Sequence, residues 1–217
     1  MLGRVQQIDQ LYILDTLAES RIYCSTVAKD QLTVIKDRSI NKNPPVWEQN
    51  WGSSVKIFTL NISSLRDKMI DLKADPLLQM ADLAIFVETH LEPERTTEDL
   101  QLDGFQLHAN SVGKGKGVAV YIKEGRFRVD GQYKDRDLQI TKVSSSNLTA
   151  IGVYRSQGDK SLAQLLPVFI PKELTANCIV SGDLNLCPRK EPNHPVFIKL
   201  RELGFRYKID KCWLRIY

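Results

Sequence analysis

Three polar sites in this sequence follow directly on apolar runs: Asn61 after Thr59-Leu60, Glu88 after Phe86-Val87, and Asp183 with Asn185 after Val180-Ser181. The ends of buried strands are where layered α/β proteins gather their active sites. Magnesium asks for hard oxygen ligands, usually one or two carboxylates, with water or substrate phosphate supplying the rest. Glu88, an isolated acid ending an apolar run, suits that task. Asp183 in Ser181-Gly-Asp-Leu-Asn185 adds a carboxylate and, two residues on, a carboxamide. In an extended segment residues two apart face the same side, so this pair could address one substrate.

Taken singly, each of these residues has an ordinary structural reading. An acid at a strand end serves as a turn residue or a helix cap, and Gly-Asp-x-Asn is a common loop. Tyr154 at the end of another apolar run could simply pack. Arg155 could meet a phosphate with two parallel hydrogen bonds or lie solvated on the surface. Lys114 and Lys116, in Gly113-Lys-Gly-Lys-Gly117, could touch a nucleic-acid backbone. That stretch lacks the Gly-Lys-Ser/Thr ending of an ATP-binding loop and reads as a hairpin turn, so no ATP site is expected. His90, His108 and His194 show no ligand spacing and read as structural or exposed.

The elements that must position these residues are apolar strands interleaved with a few helices. Strands are expected at Gln10–Leu14, Val55–Leu60, Asp82–Val87, Gly117–Ile122, Leu138–Val143, Thr149–Tyr154 and Cys178–Ser181. A helix from Leu65 towards Leu78 would be capped by Ser64, and others are expected over 27–40, from Ser161 to about Val168, and from Pro195 to about Leu203. The segment 209–217 is again strand-like. Between 41 and 54, Pro44 and Pro45 bar helix among turn-prone residues, which marks a domain boundary and a linker at 44–54. The fold class that follows is α/β with a largely buried sheet.

The 217 residues suit one domain plus an appendage, and 42% hydrophobic with 26% charged residues makes a buried core feasible. No stretch approaches the roughly 20 apolar residues of a membrane span, and no cleavable leader is expected, so no membrane partner is expected either. Four cysteines without C-x-x-C spacing argue against a zinc site or a disulfide scaffold and fit reduced intracellular thiols. A net charge of +4 is compatible with a nucleic-acid partner without requiring one.

As an ordered series, the motifs are more specific than any one of them. Asn61-Ile-Ser-Ser-Leu65, Phe86-Val-Glu-Thr-His90, Lys116-Gly-Val-Ala-Val-Tyr-Ile122, Val153-Tyr-Arg155 and Ser181-Gly-Asp-Leu-Asn185 resemble, in order and spacing, the endonuclease/exonuclease/phosphatase superfamily, especially the endonuclease domains of retroelements and transposons. The resemblance covers 55–217. It implies a four-layer α/β sandwich, two packed β-sheets flanked by helices, which cleaves phosphodiesters with bound Mg²⁺ (or Mn²⁺). It also implies roles: Glu88 ligates the metal, Asn61 positions metal or phosphate, and Tyr154 holds the scissile phosphate. Asp183 orients or activates water, and Asn185 stabilises the transition state.

The family closes with Ser-Asp-His on its last strand, and these 217 residues contain no such tripeptide. Ile209-Asp-Lys-Cys-Trp-Leu-Arg215 resembles the strand before it, where Asp210 matches the carboxylate that orients that histidine. A C-terminally truncated domain is therefore expected, and loss of one positioned acid–base group costs about 10²–10⁴ in rate. Residues 1–43 resemble the end of a superfamily-one helicase, with Arg4 at a nucleotide-sensing position but no Walker motif. Helicases followed by such a nuclease resemble those of Helitron transposons, which implies DNA as partner and an intracellular, nuclear setting. Besides the nuclease, two readings stay open: a non-catalytic nucleic-acid-binding remnant, and a relative acting on phosphoinositides or nucleotides.

Overall fold

The computed structural model describes residues 10–14, 55–92, 97–146, 148–170 and 177–207. The helix expected over 27–40, the linker at 44–54, the strand over 209–217, and the residues Arg4 and Asp210 lie outside the described residues. The strands are β1 (Gln10–Leu14), β2 (Ile57–Asn61), β3 (Leu83–Val87), β4 (Phe105–Asn110) and β5 (Val118–Lys123). They continue with β6 (Arg128–Lys134), β7 (Leu138–Ser144), β8 (Leu148–Arg155), β9 (Asn177–Asp183) and β10 (Phe205–Tyr207). The helices are α1 (Met69–Ala74), α2 (Pro76–Met80), α3 (Leu162–Phe169) and α4 (Pro195–Glu202).

Two sheets form, one of four strands in the order β2-β3-β5-β4 and one of six in the order β10-β1-β9-β8-β7-β6. Strand alternation sorts the side chains into layers. On β3 and β5, Leu83, Ile85, Val87, Val118, Val120 and Ile122 face inward and pack with Val143, Ala150 and Tyr154 of the larger sheet. Their alternates Ala84, Phe86, Ala119 and Tyr121 face outward onto Met69, Leu72 and Leu78 of α1 and α2. The larger sheet turns Ile140, Ile151, Val153 and Val180 outward onto Leu162, Leu166, Val196, Phe197 and Leu200 of α3 and α4. Helix, sheet, sheet, helix is the four-layer sandwich expected from the sequence.

The two sheets approach closely at Gly152, where a Cβ would stand 2.8 Å from Ile85 Cγ2 and 3.0 Å from Val118 Cγ1. At the far edge Asn110, buried at the end of β4, donates from Nδ2 to the carbonyls of Tyr133 (2.9 Å) and Ile140 (2.8 Å) and so pins one sheet to the other. Strand β1 pairs antiparallel with β9 on one side and β10 on the other, its Gln10 opposite Gly182.

The single helix expected from Leu65 to Leu78 is instead a 3-10 turn at Arg66–Lys68 followed by α1 and α2. Pro76 lacks an N–H and holds Asp75 extended, which breaks the helix; the Asp75 carboxylate then caps the restart through Leu77 N at 2.8 Å. Ser64 does not cap. Its backbone sits at φ 98° and its N–H donates to Glu88 O instead. Strands β4 and β6 were absent from the expected set; their burial alternates residue by residue along β6, with no apolar run to announce it.

Candidate active site

The chain places its chemistry at the C-terminal ends of two parallel pairs, one in each sheet. Strands β2 and β3 run parallel and end at Asn61 and Val87, while β8 and β9 run parallel with Tyr154 in register with Asp183. Each parallel pair needs a crossover, and α1 with α2 supplies one while α3 lies on the other. Four of the sequence-derived residues therefore arrive from both sheets at one end of the sandwich.

The loops after β2 and β3 are stitched together. Ile62, Ser64 and Leu65 donate their N–H groups to the carbonyls of Val87, Glu88 and Thr89 at 3.0, 2.9 and 3.0 Å. Ser63, Ser64, Glu88 and His90 all hold positive φ, at 49°, 98°, 53° and 56°. Such conformations cost about 1–3 kcal/mol each and persist only where the surroundings over-determine them. They present Glu88, half-buried, at the mouth between the sheets.

Asn61 and Asp183 join across the sheets. Asn61 Nδ2 donates to Asp183 Oδ2 at 3.2 Å, a contact between residues 122 positions apart in the chain. The other oxygen of Asp183 accepts from the backbone N–H of Asn185 at 2.8 Å. Asn61 Oδ1 is buried and takes no hydrogen bond. Gly182 makes the close pairing of β8 and β9 beside Asp183 possible: at φ 140°, a Cβ there would lie 1.9 Å from Val153 O.

Tyr154 is nearly buried beside this pair. Burial pushes its phenol up to about 12, helped by the carboxylates of Glu88, Asp183 and Asp137. The phenol therefore remains a neutral O–H donor facing the same space as the two acids. Asn185, at φ 50°, donates from Nδ2 to Arg155 O at 2.7 Å, leaving its second amide hydrogen for another acceptor.

The residues expected to bind substrate fare differently. Arg155 is only 3% exposed, and its guanidinium donates to backbone carbonyls, including Leu184 O at 3.0 Å. It is not a solvated surface arginine, because its two Nη groups are turned to carbonyls inside the chain. Lys116 donates to Arg136 O and pairs with Asp137 at 3.0 Å. Lys114 is exposed on the same hairpin connection between β4 and β5. Among the histidines, His194 caps α4 by accepting from Val196 N at 3.3 Å.

Sequence reasoning overlooked Asp137 and Asp159. Asp137 immediately precedes β7 near Tyr154, and its carboxyl is lowered because Lys116 and Ser156 donate to it. Its signal was present as the Asp135-Arg-Asp137 run before an apolar strand. Asp159 follows Arg155 by four positions and pairs with it, Nε to Oδ2 at 3.5 Å. The expectation of reduced thiols is corrected at Cys187, which is disulfide-bonded, whereas Cys178 is free and buried. Spacing along a chain does not show which cysteines the fold brings together.

The oxygens at the mouth fit a hard cation. Asn61 Oδ1 is an acceptor without a donor, and Glu88 supplies a carboxylate beside the same space. Among the described residues no group of three or more His, Cys, Asp or Glu forms a protein cage. A cation held here would complete its sphere with water and phosphate, the manner in which Mg²⁺ ordinarily binds.

The two-sheet, four-layer arrangement is a fold shared with solved structures of other proteins. The chain is similar to an AP endonuclease from Archaeoglobus fulgidus at 20% identity and TM-score 0.53, covering 69% of this chain and 71% of that one. It is similar to the 3' phosphatase NExo from Neisseria, bound to a product DNA hairpin, at 20% identity and TM-score 0.53, covering 70% and 72%. The 3'-5' exonuclease NExo from Neisseria meningitidis gives 21% identity and TM-score 0.52, covering 69% and 72%. No family model and no curated protein matches the chain. Among the described residues, no helix is long and apolar enough to cross a membrane.

Proposed function

We propose that this chain hydrolyses DNA phosphodiesters with a divalent cation, Mg²⁺ or Mn²⁺, as the nuclease part of a Helitron-type transposon protein. The observation that carries the reading is the hydrogen bond from Asn61 Nδ2 to Asp183 Oδ2, which draws the strand ends of both sheets together under Tyr154 and Glu88. Glu88 and Asn61 would hold the cation, which supplies charge neutralisation to the phosphate. Tyr154, kept neutral, donates its O–H to a non-bridging phosphate oxygen. Asn185 donates its free amide hydrogen to the same group as negative charge builds there.

Asp183 accepts a proton from water as that water attacks phosphorus in line. The bond from phosphorus to the leaving oxygen breaks, and solvent returns a proton to that oxygen. Lys114, exposed on the hairpin, contributes to backbone attraction.

Mg²⁺-dependent nicking of supercoiled DNA tests the reading, with Glu88→Ala and Asp183→Ala as controls. Metal-dependent nicking that both variants lose supports it; equal nicking by all three overturns it. Salt-sensitive DNA binding without nicking would instead make the chain a non-catalytic nucleic-acid-binding protein. The transposon origin is tested at the locus: an in-frame Walker motif upstream supports it, and a locus without helicase sequence counts against it.

A further inference from the structure

Arg155 follows Tyr154 on β8, yet its side chain turns away from the space that Tyr154 faces. Its Nη1 donates to Leu184 O at 3.0 Å, and its Nη2 donates to Asp159 O. Leu184 lies between Asp183 and Asn185. The backbone carbonyl of Arg155 accepts Asn185 Nδ2 at 2.7 Å. One residue therefore grips the Asp183–Asn185 loop twice, by its side chain and by its main chain.

The grip is anchored at its other end. Asp159, 7% exposed, lies 3.5 Å from Arg155 Nε. Its carboxylate accepts from Ser161 N at 3.0 Å and Leu162 N at 3.1 Å, the first turn of α3. A buried charge pair of this kind is costly to break from one side, because the partner left behind is buried without compensation. The loop it holds includes Asn185 at φ 50°, a conformation that relaxes unless restrained. Only a guanidinium, with donors spread over a planar fork, reaches Leu184 O and Asp159 at once; an ammonium on a flexible stem does not.

We infer that Arg155, locked to Asp159 at the start of α3, is a positioning residue that sets the loop bearing Asp183 and Asn185 for phosphodiester hydrolysis, and is not a phosphate contact. The inference rests on the hydrolytic reading above. Displacement of a reacting group by about 1 Å costs about 10² in rate, so the clamp acts on the chemical step and leaves DNA binding alone.

Arg155→Lys and Asp159→Asn test it by single-turnover cleavage, by DNA affinity measured with Ca²⁺ in place of Mg²⁺, and by hydrogen exchange at amides 184–187. Both variants are expected to bind DNA with unchanged affinity and salt dependence, to cleave about 10²-fold more slowly, and to exchange faster at 184–187. If Arg155→Lys does not fold, Asp159→Asn carries the same comparison, since Asp159 is buried and carries a negative charge that would repel a phosphate. Weaker DNA binding with a salt slope reduced by about one, and unchanged cleavage of bound DNA, makes Arg155 a phosphate contact and overturns the inference. Cleavage that falls only in step with the folded fraction also overturns it. If the unaltered chain does not cleave, the hydrolytic reading fails, and exchange decides the clamp separately: unchanged exchange in both variants sinks it.

Discussion

In the proposed site Asn61 Oδ1 is a buried acceptor without a donor and Tyr154 a phenol held neutral by burial. Replacing Glu88 by Gln keeps the shape and removes the charge; Mg²⁺ should then no longer raise the melting temperature, whereas the unaltered chain gains stability with added Mg²⁺. An equal Mg²⁺ response in both would remove Glu88 from the metal site. Tyr154 gives a pH prediction. Burial and the neighbouring acids raise its phenol to about 12, above the value near 10 of an unfolded chain. The folded chain holds that proton more tightly, so the contribution to stability is whole below about pH 10 and is lost as pH rises towards about 12. Urea midpoints of the unaltered chain should fall across that window, and those of Tyr154→Phe should fall less. Tyr121, also raised by burial, contributes in the same direction. Of this scale the sequence showed the residue types at strand ends; it did not show that Arg155 would be buried, because Arg155–Asp159 pairing depends on the turn between β8 and α3.

Element by element, what the site requires is the close approach of β8 and β9 and the order of the loops at their ends. Gly182→Ala would drive a methyl into Val153 O and strain a backbone at φ 140°. Overpacking of this kind costs about 1–3 kcal/mol, to be read as a lowered urea midpoint with cleavage reduced beyond the loss of folded protein. Asp75→Ala, by contrast, removes only the cap of α2 and should cost about 1 kcal/mol with the site intact. A larger effect of Asp75→Ala on cleavage than of Gly182→Ala would reverse this order of importance. Strands β3, β5, β8 and β9 were legible because both their faces are covered and their sequences read as apolar runs. Strand β6 was not, for its residues alternate between exposed and half-buried. The helix expected after Ser64 ran through Asp75-Pro76, where the backbone stops and restarts.

At the scale of the molecule, two sheets from distant parts of the chain meet at one end, and that meeting is what sequence reasoning could not display. The ordered motifs implied the sandwich; the Asn61–Asp183 bond is a property of how β2 and β9 face each other once folded. If the mouth binds a DNA backbone, affinity should fall as salt rises, because neutralised phosphates release counterions; salt-independent binding would argue against it. The central claim is that Glu88 and Asp183, brought together from separate sheets, hydrolyse a phosphodiester with a divalent cation. Nicking of supercoiled DNA by the purified chain, Glu88→Gln and Asp183→Asn, each with Mg²⁺ and with chelator, measures it most directly. Chelator-sensitive nicking by the unaltered chain, and none by either variant at equal folded content, is the expected result. Nicking that survives chelation, or that proceeds at one rate in all three proteins, would contradict it.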